Sequence, residues 1–284
     1  EERIEGKGRV EGGRVSGGIG RLDTEGWCPF PSRRNRSIDL GVWKVDPRGN
    51  QRQPRVMEDQ QRACVVVTGF GPFQQVRENP TQWIVQDVKE KAMHGNVLAK
   101  QGQIVTCAVL DVVAKNATEC VDELVNTAIQ HAKGTTYVPV LVHFGVDTTR
   151  EQIHVERRAY NEADFRCPDN QGWQPKRQVI DEQVGDVHQY ISTTLPVEEL
   201  VQACRKKGYH VHASDDAGRF VCNWTYFQSL RRTQNIGYAI FVHVPPEHTC
   251  PIEMLQGFAW DFLNAISAYV ATQTLDQLRR PTEE

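Results

Sequence analysis

Apolar and polar positions between residues 63 and 144 follow two patterns in turn. Continuous, largely β-branched runs at 63–68, 103–110 and 137–144 are typical of strands buried on both faces. Helical spacing follows each of the first two runs. The first helix is predicted to begin at Asn79-Pro80, an N-cap with proline at the first helical position, and the second to span 116–133. The residues predicted to face inward are Trp83, Ile84, Val88, Ala92, Val121, Leu124, Val125 and Ile129.

The second half of the chain returns to the same alternation after an irregular middle. Residues 151–160 alternate weakly and predict a strand or a hairpin arm, and the polar stretch at 161–183 predicts a long surface loop. The remaining predicted elements are a helix at 197–207, a strand at 209–214, a helix opening near Val221, a strand at 239–246 and an amphipathic helix at 251–278. This order predicts the α/β class, a three-layer α/β/α sandwich with a mostly parallel central sheet.

The two ends of the chain do not share this pattern. Residues 1–56 interleave glycines with charged residues and sustain no apolar period, so we expect a disordered N-terminal extension. The first methionine is Met57, and we expect it to be the initiator of the native protein. One folded domain is predicted over 57–275, followed by a polar tail at 276–284.

Charge and cysteine usage narrow the functional class. The formal net charge of −3 and the isoelectric point of about 6.3 argue against nucleic acid or an anionic membrane as a partner. No apolar run is long enough for a transmembrane helix, and the polar start does not resemble a signal peptide. The eight cysteines form no C-x-x-C pair, so a zinc site is unsupported. We expect reduced thiols and a cytoplasmic protein.

Cys222 and His243 are the first candidates for chemistry. Cys222 falls at or just inside the first turn of a predicted helix, where free N–H groups and the helix dipole favour a thiolate. His243 ends the apolar strand at 239–246, and the glycine-rich loop at 69–73 ends the first strand. Sites in such folds form at the carboxyl ends of strands, and we expect all three segments there. The alternatives are a buried apolar cysteine and a structural core histidine.

Six segments carry a resemblance to a known family. They are Val66-Val67-Thr68-Gly69-Phe70-Gly71-Pro72-Phe73, Asn79-Pro80, Val155-Glu156-Arg157, Arg166-Cys167-Pro168-Asp169-Asn170, Asp216-Ala217-Gly218-Arg219-Phe220-Val221-Cys222-Asn223 and Phe241-Val242-His243-Val244-Pro245-Pro246. In this order they resemble the pyroglutamyl-peptidase I family, cysteine peptidases that remove an N-terminal pyroglutamyl residue. The resemblance extends from about Met57 to Leu275. Gly145-Val146-Asp147 is closer to the animal members than to the bacterial ones.

The resemblance implies a catalytic triad. Cys222 corresponds to the nucleophile, His243 to the general base and Glu156 to the carboxylate that orients the histidine. Cysteine attack with histidine as proton carrier needs neither a metal ion nor an organic cofactor. The alternative for Glu156 is a surface charge beside Arg157 and Arg158.

The resemblance also implies a substrate pocket. Phe70 and Phe73 would sandwich the flat lactam ring, Phe220 and Val221 would complete the wall, and Asn79 would order the loop or hydrogen-bond near the ligand. Arg166 and the Cys222 backbone N–H would stabilise the oxyanion. The alternatives are core packing for a phenylalanine, a helix N-cap for Asn79 and an exposed loop arginine. Cys167 stands where members of the family usually have an apolar pocket residue.

We therefore expect an omega-peptidase that acts on N-terminally pyroglutamylated peptides. A second hypothesis is a catalytically weak or inactive member that acts as a binding module. A third is an amidase of the same mechanism acting on another small acyl group. The intact Glu156, Cys222 and His243 favour an active enzyme over the binding module.

Overall fold

The computed structural model describes residues 60–74 and 76–273, together with the backbone of two short strands near the N-terminus. These are β1 (Lys44–Val45) and β2 (Gln51–Arg52), which pair antiparallel. The rest of the predicted extension at 1–56, Met57 and the predicted tail at 276–284 lie outside the described residues.

Strands and helices alternate along the described chain, as the apolar pattern predicts. In chain order the remaining elements are β3 (Arg62–Phe70), α1 (Pro80–Met93), a 3₁₀ turn (Ala99–Gln101), β4 (Gln103–Leu110), α2 (Ala114–Ala132), β5 (Tyr137–Val146), β6 (Ile153–Glu156), β7 (Arg158–Tyr160), β8 (Glu162–Ala163), β9 (Gln178–Val179), β10 (Tyr190–Ser192), α3 (Val197–Arg205), β11 (Val211–Ser214), α4 (Val221–Thr233), β12 (Tyr238–Val244) and α5 (Ile252–Val270).

A six-stranded sheet forms the centre, in the order β11-β6-β12-β5-β3-β4. Helices α1, α3 and α5 pack on one face, around residues such as Ile84, Leu200 and Phe258, and helices α2 and α4 pack on the other, around Val121 and Tyr226. This confirms the predicted three-layer sandwich. Strands β3, β4, β5 and β12 are parallel, whereas β6 and β11 run in the opposite direction. Within residues 60–273, no helix is long and apolar enough to cross a membrane.

The helix boundaries agree with the sequence at most positions. Asn79 caps α1 as predicted, because its Oδ1 accepts a hydrogen bond from the Thr81 backbone N at 3.2 Å. The prediction for Trp83 is wrong, since its side chain is 40% exposed on the outer side of α1. Helix α5 ends at Val270 rather than 278, and residues 271–272 form a turn.

The middle of the chain is more structured than its composition indicates. The weak pattern at 151–160 divides into β6, which joins the central sheet, and β7, which pairs with β10 outside it. The predicted loop at 161–183 contains the short β8–β9 pair and is tied together by the buried Asn161. The amide of Asn161 donates to the carbonyl oxygens of Asp181 and Gly185 at 2.9 and 3.0 Å, so the loop has a defined path.

Candidate active site

His243 lies near the carboxyl end of β12, at the edge of the sheet where the predicted site was expected. Its register partner on the parallel strand β5 is Gly145, and its partner on the antiparallel strand β6 is His154. The residue as a whole is 4% exposed. The strand order therefore brings a nearly buried histidine between the end of β5 and the residues of β6.

Cys222 is the second residue of α4, whose N-cap is Phe220. A Cβ atom built on Gly145 would lie 3.1 Å from the Cys222 Sγ, so the thiol rests against β5 at the level of His243. The backbone N–H of a residue in the first turn has no acceptor within the helix, and the helix dipole favours negative charge there. The half-buried thiol thus lies at the positively polarised end of α4.

The path of the chain to Cys222 differs from the prediction. The preceding strand, β11, is antiparallel to β12, and its last residue, Ser214, is level with Glu156 and Phe241. Its carboxyl end therefore points away from the edge where His243 lies, and residues 215–220 lead the chain back. The expectation that Cys222 lies at the carboxyl end of the strand before it is wrong, although the start of α4 does reach the edge where His243 lies.

Glu156 is fully buried and contacts His243 directly. The His243 Nδ1 and the Glu156 Oε1 are 2.8 Å apart, with the imidazole N–H as the donor. This burial excludes the alternative of a surface charge. The carboxylate fixes the ring tautomer and leaves Nε2 free for the thiol.

The pKa of His243 is raised to about 10. Burial by itself lowers the pKa, but the hydrogen bonds and negative charge of Cys222 and Glu156 outweigh it. The protonated imidazole is therefore favoured between the thiol and the carboxylate.

A small, narrow apolar pocket lies beside the Cys222 thiol. The Phe73 and Phe220 rings lie 6.0 Å apart, and Phe165 packs behind Phe220 at 4.8 Å. Two lining residues, Val112 and Val146, were not predicted. Val112 lies just after β4 and Val146 is the last residue of β5, and the sequence alone indicates that these strands end at this edge. The full lining is Phe70, Phe73, Asn79, Val112, Val146, Phe220, Val221 and Cys222.

Asn79 lines the pocket, but local structure engages most of its hydrogen-bonding capacity. Its Oδ1 accepts from the Thr81 N and Oγ1, and its Nδ2 donates to the Gly71 carbonyl oxygen at 3.1 Å. One amide N–H remains for a ligand. Phe70 is 2% exposed and also packs on Phe241, so it combines a core role with a place in the pocket wall.

Arg166 and Cys167 are not brought into the pocket lining. Arg166 is exposed and Cys167 is half-buried. The role of Arg166 in stabilising an oxyanion stays a prediction. Within residues 60–273, no three metal-binding side chains cluster closely enough to hold an ion.

The sequence reasoning missed Arg150. Its guanidinium contacts Glu156 at 3.2 Å and Asp147 at 3.0 Å. One signal was available, since an acidic and a basic residue follow Gly145 within five positions at the end of a predicted buried strand.

Comparisons with known proteins show which family the chain is similar to. Residues 63–254 match the family model described as pyroglutamyl peptidase. The chain is 32% identical over 184 residues to a pyrrolidone-carboxylate peptidase of Thermococcus litoralis, covering 64% of this chain and 76% of that protein. It is 34% identical over 185 residues to the enzyme of the same name from Aliivibrio fischeri, covering 64% and 77%.

The fold is similar to solved structures of the same group. The pyrrolidone carboxyl peptidase of Thermus thermophilus aligns with a TM-score of 0.58 and 27% identity, over 70% of this chain and 98% of that one. The enzyme of Thermococcus litoralis aligns with a TM-score of 0.60 and 25% identity, over 79% and 99%. The likeness to animal members stays a prediction. With the family model matched over most of the described residues, the chain belongs to the pyroglutamyl peptidase family.

Proposed function

We propose that this protein hydrolyses the amide bond after an N-terminal pyroglutamyl residue, with Cys222 as nucleophile, His243 as proton carrier and Glu156 as the group that orients His243. One observation carries the proposal. The buried 2.8 Å hydrogen bond between Glu156 and His243 lies beside a cysteine at a helix N-terminus, which itself lines an apolar pocket.

The chemistry follows from these three side chains. The Cys222 thiolate attacks the pyroglutamyl carbonyl carbon, and the new C–S bond converts the carbonyl oxygen into an oxyanion. The His243 imidazolium gives its proton to the amide nitrogen, the C–N bond breaks and the shortened peptide leaves. Water then attacks the thioester while His243 takes the water proton. Breaking of the C–S bond releases pyroglutamic acid and restores the thiolate.

Glu156 acts on the histidine and not on the substrate. Its buried carboxylate holds the imidazole by Nδ1, and its charge stabilises the imidazolium that exists before attack and after water activation. The raised pKa of His243 supports this role, because the carboxylate and the thiolate both favour the protonated ring.

Two donors are proposed for the oxyanion. The Cys222 backbone N–H is the first, since a first-turn amide has no partner within α4. Arg166 is the second and would have to move from its exposed position to reach the oxygen. The backbone amide is the better supported of the two, because it belongs to the residue whose sulfur forms the bond.

The character of the pocket supports a pyroglutamyl side chain. The lactam is flat and uncharged, and a pocket lined by three phenylalanines and three valines offers it faces for packing. A free glutamate residue carries charges that such a lining would leave without partners. Asn79 supplies one remaining amide N–H for the lactam oxygen.

The setting and the partners are part of the proposal. A catalytic thiol must stay reduced, and the cytosol keeps thiols reduced, so we assign the protein to the cytosol. Its partners are N-terminally pyroglutamylated peptides, and neither nucleic acid nor a membrane has a role in the reaction. The three side chains act without a metal ion or an organic cofactor.

A fluorogenic pyroglutamyl amide tests the proposal. The wild-type protein should release the fluorophore, and Cys222→Ser should lower kcat by at least about 1,000-fold, as loss of a nucleophile does. The matched control is Cys120→Ser, at a half-buried cysteine on α2, which should keep its kcat. If the wild type shows no turnover and Cys222 resists alkylation, the inactive binding module is the correct reading. Turnover of other acyl amides at equal rates would favour the broader amidase.

A further inference from the structure

Arg150 lies where four segments around the candidate site meet. Its Nε pairs with Asp147 Oδ2 at 3.0 Å, in the loop after β5. Its Nη1 donates to Glu156 Oε1 on β6 at 3.2 Å and to Ser214 Oγ on β11 at 3.3 Å. Its Nη2 donates to the Asp216 carbonyl oxygen at 2.8 Å, in the loop that leads to Cys222.

The buried Glu156 carboxylate has few hydrogen-bond partners among the described residues. His243 and Arg150 both bind Oε1, and Oε2 is buried without a hydrogen-bond partner among the described residues. A fully buried carboxylate is costly unless it is paired and hydrogen-bonded. Arg150 provides a permanent positive charge for it, whereas His243 changes its protonation state during the proposed reaction.

We propose that Arg150 is a positioning residue: it holds the Glu156 carboxylate against Nδ1 of His243 and fixes the loop that leads to Cys222. The proposal rests on the function proposed above. The planar guanidinium reaches Glu156, Ser214 and Asp216 with donors at fixed angles. A lysine ammonium is a point charge that cannot keep this geometry. Arg150 does not line the substrate pocket, so it acts through Glu156 and the loop.

Arg157 provides a matched control. It directly follows Glu156 in the chain and forms ion pairs with Glu198 and, at 2.7 Å, with Asp215. Its guanidinium contacts neither the Glu156 carboxylate nor the Asp216 carbonyl oxygen among the bonds of the described residues. A loss that is general to ion pairs in this region would appear equally in Arg150→Met and Arg157→Met.

Kinetics of a double-mutant cycle provide the first test. Arg150→Met should lower kcat about 10- to 100-fold with little change in KM, because misplaced groups slow the chemical step. Arg157→Met should lower kcat much less than Arg150→Met, because it loses a contact with the loop at Asp215 but none with the Glu156 carboxylate. Arg150→Met should cost less in the Glu156→Gln background than in the wild type, because the part of its loss that passes through Glu156 is already gone. Fully multiplicative losses, or an unchanged kcat in Arg150→Met, would overturn the proposal.

An NMR titration of the His243 imidazole provides a second readout that needs no turnover. Arg150→Met should shift the midpoint downward, toward that of Glu156→Gln, because the carboxylate leaves Nδ1. If Arg150 acted only through its charge, its removal would end the repulsion between the guanidinium and the protonated His243 ring. The midpoint of the His243 titration would then rise instead. A raised or unchanged midpoint would therefore contradict the positioning role.

The two proposals fail in different ways. Absence of turnover in the wild type, or full turnover in Cys222→Ser, would contradict the proposed reaction. The NMR titration of His243 would still decide the role of Arg150. If Arg150→Met does not fold, Arg150→Lys decides instead, since it keeps the charge and the side-chain stem. A smaller loss of kcat and a lowered His243 midpoint support the proposal, and wild-type values for both overturn it.

Discussion

The pKa values of two buried histidines, His243 and His143, are shifted in opposite directions from the ordinary value, and their neighbours explain why. Burial alone would lower the pKa of His243, but the thiol and the carboxylate that it faces outweigh burial and raise the pKa to about 10. Its contribution to stability is complete below pH ~6.5, the unfolded pKa, and is lost as the pH rises through about 10. The ring nitrogens of His143 are bonded only to hydroxyl groups, those of Thr68 at 2.6 Å and Ser229 at 2.8 Å. Burial lowers the pKa of His143 to about 3.

His143 should make the fold sensitive to acid. Its folded-state pKa lies below the unfolded value of about 6.5, so the unfolded chain binds the extra proton first. Stability from this residue is therefore lost as the pH falls from about 6.5 toward 3. Urea unfolding between about pH 4 and pH 7 should show a steep loss in the wild type and a flatter one in His143→Gln.

The exposed His188 supplies the control for this experiment. His188→Gln should keep the wild-type slope of unfolding free energy against pH. An equally steep slope in His143→Gln would show that carboxylates, and not His143, cause the acid sensitivity.

At the scale of elements, the contact between β5, β12 and α4 decides whether the thiol reaches the histidine. Gly145 leaves room for both neighbours at this contact. A Cβ there would lie 2.7 Å from the Phe241 ring and 3.1 Å from the Cys222 Sγ. Real Cβ atoms do not tolerate the first distance, so any side chain at 145 would displace the ring, the thiol or both.

We expect Gly145→Ala to lower both stability and activity. Overpacking a filled core costs about 1–3 kcal/mol, and the shifted thiol should reduce kcat more than KM. The rate of Cys222 alkylation by iodoacetamide measures the thiol directly, and urea unfolding measures the packing cost.

Gly257→Ala on α5 is the control, since its added methyl would meet only the Tyr209 hydroxyl, at 3.2 Å. It should leave the alkylation rate unchanged. A wild-type rate in Gly145→Ala would mean that the thiol does not rest against β5.

At the scale of the whole molecule, the long loop after β8 joins the pocket wall to the start of α2. Asp169 is 5% exposed and serves two segments. Its Oδ1 accepts from the Gln171 and Trp173 backbone N atoms at 3.0 Å each. Its Oδ2 accepts from the Ala114 N at 3.2 Å, which gives α2 the acidic cap that its own first turn lacks. The same loop carries Phe165, which supports the pocket wall.

Asp169→Ala should loosen this loop. Leaving these backbone donors unsatisfied costs about 1–3 kcal/mol each where they stay buried. KM should rise more than kcat falls, because Phe165 then supports Phe220 less firmly. Steady-state kinetics and limited proteolysis of the loop measure both effects.

Asp169→Asn keeps one acceptor oxygen and should recover part of the loss. Equal KM values in the wild type and Asp169→Ala would show that the loop contributes nothing to substrate binding.

Local pattern was enough to predict the layers and several residues of the site. Buried parallel strands appear as continuous apolar runs because helices cover both of their faces, and β3, β4, β5 and β12 were found where those runs lie. Asn79 was predicted as an N-cap because capping is a contact between residues two positions apart. The position of Cys222 in a first helical turn was predicted for the same reason, since it depends only on neighbouring residues.

What only the tertiary structure decided is the set of contacts between distant segments. The weak pattern at 151–160 does not reveal that β6 enters the sheet antiparallel beside β12, because strand pairing depends on the whole sheet order. That pairing buries Glu156 against His243, 87 positions away along the chain, and brings Arg150 to the same oxygen. Sequence by itself thus determined the elements and the residue types, whereas packing determined which of them meet, because the free energy of a buried charge depends on partners that no local pattern encodes.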